Sequence, residues 1–117
     1  MHTLTLATTE QDQKRFEFLY RGLIIMGNQN NQKGLSVLTR EIALLDKLEA
    51  ISRPCDCGRS VPGTKEPDRE LVAGEVLLND QEFDLLYQYV SNVPWSIGES
   101  SRGAIKTLAW MKNGGQP

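Results

Sequence analysis

The residues that could do chemistry are few and scattered. Cys55 and Cys57 flank one aspartate in "PCDCG" and could offer two thiolates to zinc. A structural zinc site takes four ligands, usually with two or more residues between paired cysteines. The single histidine is His2, at an end expected to be mobile, so only carboxylates such as Asp56 or Glu66 could complete a set. No metal site and no cofactor is expected. A cysteine nucleophile needs a base as well as a lowered pKa. Arg53 and Arg59 flank the pair and could stabilise a thiolate, but no internal histidine exists to take the proton. Ser-His-Asp chemistry fails for the same reason. A disulfide between the two cysteines would close a very small, strained loop, so reduced thiols are expected.

Carboxylate pairs such as Glu82 with Asp84, or Asp68 with Glu70, are two positions apart. On a helix that spacing points them to different faces, which suits solvation better than acid-base catalysis. "GNQNNQKG" and "SIGESSRG" contain glycines, but neither has the Lys-Ser/Thr that a P-loop carries after its last glycine. The second precedes a helix and could hold an anion at its amides. Its simpler role is a turn with Ser100 or Ser101 as cap. Without a usable catalytic constellation, the expectation is a protein that is not an enzyme.

The elements that must position these residues follow from periodicity. "TLTLA" at 3–7 alternates apolar and polar residues, a short strand signal. Thr8 and Thr9 then offer cap hydroxyls, and Glu10 and Asp12 place acid in a first turn. Phe16, Leu19, Leu23 and Met26 make one helical face, with Phe18 and Ile25 widening it. A second helix is expected from about Asn31 to Ser52. It carries two adjoining stripes, Leu38/Ile42/Leu45 and Leu44/Leu48/Ile51, and so should pack on more than one neighbour. Pro54 disfavours helical geometry at Arg53. Residues 53–73, with three prolines and no sustained period, read as one long internal loop.

The pattern then repeats. Val76 and Leu78 alternate with their neighbours as a second strand, and Asn79 with Glu82 has the spacing of a capping box. Phe83, Leu86 and Val90 mark a third helix, which stops at "NVPW". A fourth, roughly 100–112, is expected to bury Ala104, Ile105, Leu108 and Trp110 or Met111. "FEFLY" at 16–20 and "FDLLY" at 83–87 agree in residue type, though amphipathic helices also match by chance. Lone strands cannot satisfy their own amides, so the two should pair. The expected fold is α+β and mostly helical: two short strands form a small ribbon packed with four helices, strand-helix-helix repeated twice, in a single domain spanning 1–117.

Bulk properties bound the partners. The chain is 39% hydrophobic and 24% charged with a net charge of -2, so it has no global pull toward nucleic acid or anionic lipid. No apolar run reaches the roughly 20 residues that span a bilayer, and no secretory signal opens the sequence. A cytoplasmic location is expected.

The junctions "LTLATTEQ" and "LLNDQEF", each opening a helix, with "LLDKLEAIS" between them, resemble small bacteriophage accessory proteins in style. That resemblance implies a virion or assembly role, or an inhibitor that occupies a host protein in the host cytoplasm. It carries over no functional residues. The expected function is a non-enzymatic interaction module that oligomerises or docks on a larger protein. The surplus of large apolar residues argues for this, since a small ribbon and four helices have trouble burying all of them. Partner contacts are expected from Arg53, Arg59, Lys65 and Arg69 and from Tyr87, Tyr89 and Trp95. Trp95, next to Pro94, should also pack the turn between the last two helices. The alternative is a nucleic-acid-binding regulator using a helix-turn-helix-like segment at 94–112, with Ser101, Arg102 and Lys106 exposed. Against it, Glu99 repels phosphate and the acidic balance limits counterion release.

Overall fold

The computed structural model describes residues 2–28, 34–56, 58–61 and 64–115, with the backbone alone at Glu99. Strand β1 (His2–Leu6) pairs antiparallel with β4 (Gly74–Leu78), in a register that sets Leu4 opposite Val76 and His2 opposite Leu78. Period-2 alternation puts Leu4, Leu6, Val76 and Leu78 on one face, and all four are buried. Leu77 points the other way and is exposed. The ribbon expected from the sequence is therefore the one observed. His2 is not loose: its ring stacks on Phe83 with centroids 4.0 Å apart, and Nε2 lies 2.9 Å from Asp80 Oδ1.

Each strand launches a helix. α1 (Glu10–Asn28) begins where Thr9 Oγ1 accepts the Asp12 amide at 3.1 Å. The buried Asp12 carboxylate accepts the Ala7 amide at 2.9 Å and Arg15 Nη1 at 2.7 Å, so its charge is compensated. α1 touches β1, the segment Arg69–Leu71 and all three other helices, burying Phe16, Leu19, Tyr20, Leu23 and Ile24. α3 (Asp80–Asn92) starts at the expected capping box. Asn79 Oδ1 accepts the Glu82 amide at 2.7 Å, and Glu82 Oε1 accepts the Asn79 amide at 3.0 Å. Lys47 Nζ adds a 2.6 Å ion pair to the same oxygen.

α2 (Leu35–Ala50) packs with one stripe and only the last residue of the other, Leu45, which is half-buried against the core. Leu44, Leu48 and the following Ile51 are buried, while Leu38 and Ile42 face solvent. The expected start near Asn31 lies outside the described residues. α4 (Glu99–Lys112) buries Ala104, Thr107, Trp110 and Met111. The expected burial of Ile105 is overturned, since it is 66% exposed. The inward arc runs through Thr107 instead, whose hydroxyl donates to Gly103 O at 2.9 Å and so needs no water. After α4 the Gly115 amide donates to Trp110 O at 2.9 Å, and Gly115 O accepts the Thr5 amide at 2.8 Å. Gly115 has φ +65°, and a Cβ there would meet Leu4 Cδ2, so glycine alone lets the chain turn against β1.

Residues 53–73 contain more order than the absence of a period implied. β2 (Ser52–Pro54) pairs antiparallel with β3 (Arg69–Leu71), and Ser60 bridges to Pro67. Pro54 is tolerated because a two-stranded ribbon consists of edges. This second ribbon is pinned to α1. Arg21 Nη2 meets Asp68 Oδ2 at 2.8 Å, and the Leu71 amide donates to Gln13 Oε1 at 2.9 Å. The expectation of reduced thiols is corrected here, because Cys55 is disulfide-bonded. The other cysteine, Cys57, lies outside the described residues. The Cys55 amide donates to Asp68 O at 2.9 Å beside the ribbon. Among the described residues, no helix is long and apolar enough to cross a membrane.

The Glu82 site makes stability depend on pH. Burial alone would raise the Glu82 pKa, but the Lys47 hydrogen bond, the Asn79 amide and the Lys47 charge together hold it below the ordinary 4.5. A lowered folded-state pKa gives stability that is present above the ordinary value and lost as pH falls through the folded one. Glu82→Gln is expected to cost about 1–3 kcal/mol at pH 7 and to flatten the acid limb of a urea-denaturation series from pH 7 to pH 3. An unchanged acid limb would show that Glu82 does not set it.

Candidate docking surfaces

Among the described residues, two surfaces combine a shared face with groups that the fold does not use. The first is a groove of about 820 Å³ between α1 and α4. On α1, Lys14, Glu17, Phe18 and Arg21 recur at helical spacing and so share a face. On α4, Ser100, Gly103 and Thr107 face them, with Arg102 and Lys106 beside. The floor is aromatic: the Phe18 and Trp95 rings meet edge to face at 5.1 Å. Trp95 does pack the turn between α3 and α4, its Nε1 donating to Val90 O at 2.9 Å. Gly103 permits this close packing, since a Cβ there would lie 2.5 Å from Phe18 Cε2 and Cζ.

The groove's cations differ in how committed they are. Arg15 is paired to Asp12 at 2.7 Å and lies over the Trp110 ring at 5.0 Å. Arg21 is held by Asp68. Lys14 stands 3.8 Å from Glu10, with both exposed, a pair worth little in water. Among the described residues, the side chains of Arg102 and Lys106 have no ionic or hydrogen-bonded partner. They stand one helical turn apart on α4 and carry an uncompensated positive charge at the groove.

The second surface is the outer face of α2. Leu35 is 81% exposed, Ile42 56% and Leu38 38%. Their spacing of three and four places them on one stripe, and Asp46 and Glu49, also exposed, continue it toward the C-terminal end. Of the stripe marked in the sequence, Leu38/Ile42/Leu45, the fold leaves Leu38 and Ile42 uncovered and packs Leu45 against the core; Leu35 extends the exposed part.

The sequence-predicted contacts do not form a single cluster. Arg53 is ion-paired with Glu70 across the second ribbon. Arg69 Nε donates to Ser52 Oγ at 2.9 Å and Nη2 to Ser52 O at 3.1 Å, so it braces the same ribbon. Arg59 and Lys65 are exposed on the loop beyond it. Tyr87 is half-buried beneath Lys112, whose Nζ lies 5.3 Å from the ring centroid. Tyr89 is half-buried too, and burial, with the nearby Glu41 charge, pushes its phenol pKa up. Only Trp95 joins the groove. Of the alternative nucleic-acid set, Arg102 and Lys106 line it, while the Ser101 hydroxyl turns back to accept the Gly98 amide at 3.2 Å. Lys14, Phe18 and Gly103 were missed. The row Lys14/Glu17/Phe18/Arg21 is visible in the sequence, but nothing local says that α4 lies beside it. Among the described residues, no group of three or more His, Cys, Asp or Glu is placed to hold a metal ion.

Gly103→Val is expected to push the Phe18 ring off Trp95 and fill the floor. The cost should be about 1–3 kcal/mol, measured by chemical denaturation, with a change in tryptophan near-ultraviolet dichroism. An unaltered spectrum at full stability would mean that the close Gly103–Phe18 approach does not hold the floor.

Comparison with protein-family models, curated proteins and solved structures finds no match to this chain.

Proposed function

We propose that the chain is a non-enzymatic interaction module that oligomerises or docks on a larger protein through the outer face of α2. The observation that supports this reading is the exposed stripe of Leu35, Leu38 and Ile42 on a helix whose core face is already filled by Leu44 and Leu48. Single exposed aliphatics are ordinary, but three on one stripe form a contiguous patch. Burying such side chains is worth roughly 1.5–3 kcal/mol each. The sum is near the lower end of the ~4–15 kcal/mol that association costs. The stripe can therefore anchor a contact, and its rim must supply the remainder. In the accessory role that the junction motifs imply, the partner would be a virion component, another copy of the chain, or a host protein.

A photo-crosslinking amino acid placed at position 38 tests this in cells that naturally contain the protein, with the exposed position 88 on α3 as control. The expected result is an adduct of one discrete mass from position 38 and none from position 88. Leu38→Lys with Ile42→Lys should abolish the partner's protection of α2 while changing folding stability by no more than about 0.5 kcal/mol, as for exposed sites generally. No adduct at position 38, or equal adducts at both positions, would overturn the reading.

A further inference from the structure

We infer that the α1–α4 groove receives the outer face of α2 from a second copy of the chain, giving a head-to-tail assembly. The inference rests on the proposed role of the α2 face and adds the identity of what it meets. The two surfaces share no residue, as a heterologous contact between identical chains requires.

Their chemistries are complementary. The donor face presents three aliphatic side chains followed by two carboxylates, Asp46 and Glu49. The receiving groove has an aromatic floor of Phe18 and Trp95 and two unpaired cations, Arg102 and Lys106, on one wall. Seating Leu38 and Ile42 over the floor and the carboxylates beside Arg102 and Lys106 satisfies both. The dimensions agree as well. Leu35 to Glu49 spans about 21 Å and the α1 wall from Glu10 to Arg21 about 17 Å, at 1.5 Å per residue. The acidic residues of the groove, Glu10 and Glu17, stand on the α1 wall and Arg102 and Lys106 on the α4 wall, which fixes the side on which the incoming carboxylates lie.

The same geometry disfavours a nucleic acid in the groove. Duplex DNA carries a charge about every 1.7 Å of its axis, so a strand crossing the groove would set phosphates against Glu10 and Glu17. A protein segment can place carboxylates only where the cations are.

A heterologous contact has a property that a two-fold contact lacks: two variants, each damaged on a different surface, can still join through their intact halves. The test uses the full chain, light scattering over a concentration series, and two double variants. Leu38→Lys/Ile42→Lys damages the donor face, and Arg102→Glu/Lys106→Glu reverses the groove. The unaltered chain is expected to grow in mass with concentration beyond a dimer, and each variant alone to stay at the 13.1 kDa of one chain. Their equimolar mixture should give a species of twice that mass and no larger. Mixing also controls for folding, because a misfolded variant could not complement. Four results would overturn the inference: an unaltered chain that is monomeric throughout, a groove variant that still self-associates, a mixture that does not assemble, or binding of a labelled thymidine 20-mer that the groove variant loses. The first leaves the position-38 crosslink free to identify a different protein. The second points to two α2 faces pairing with each other. The last assigns the groove to nucleic acid.

Discussion

The architecture depends on the pairing of β1 with β4. These two five-residue segments are separated by most of the chain, and neither can satisfy its backbone amides alone. Once paired, they place Leu4, Leu6, Val76 and Leu78 on a single apolar face. They also fix the starting points of α1 and α3, which pack against each other and against the ribbon. A two-stranded ribbon is marginal in water, so the helices stabilise the ribbon as much as the ribbon directs the helices. Gly115 closes this arrangement by returning the end of α4 to Thr5 of β1. The fold is thus held at both strand-to-helix junctions, and α2, α4 and the second ribbon are added around that frame.

The parts of the fold legible in the sequence were those encoded by local spacing. Leu4 and Leu6 alternate with threonines, and Asn79 stands three residues before Glu82. Each pattern needs only neighbouring residues to be read, and each is realised in the structure. The illegible parts were decided by tertiary placement. β2 and β3 are three residues each, too short to show a period, and side-chain braces such as Arg69 to Ser52 mark their pairing. α2 has two apolar stripes that periodicity cannot rank. The position of α1, β2 and β4 selects Leu44 and Leu48 for the core and leaves Leu38 and Ile42 outside. On α4 the buried arc includes Thr107 because its hydroxyl is satisfied within the helix, and Ile105 is displaced to the surface. The groove belongs to the same class. Its residues come from two helices distant in sequence, and their charges say nothing about adjacency until the fold brings them together.

The distribution of charge links the fold to its proposed use. Three of the buried carboxylates, Asp12, Asp68 and Glu82, each draw a cation: Arg15, Arg21 and Lys47. A carboxylate taken out of water without such a partner would be strongly destabilising, so these cations are committed by folding itself. Lys47 belongs to this group, although it lies on α2 beside Asp46. Its commitment to Glu82 leaves the end of the α2 stripe acidic. On α4 the reverse holds. The helix carries Arg102, Lys106 and Lys112, and among the described residues no buried acid claims the first two. A chain with a net charge of only -2 thereby acquires unlike charges at two separate places, each next to apolar or aromatic surface. Long-range steering between near-neutral molecules is weak. Short-range complementarity is not, because a carboxylate and a guanidinium brought together beside an apolar contact lose competing water and gain from the lower local dielectric. The consequence is directional. In the proposed assembly unlike surfaces meet, so the contact would repeat head to tail, with a free donor face at one end and a free groove at the other.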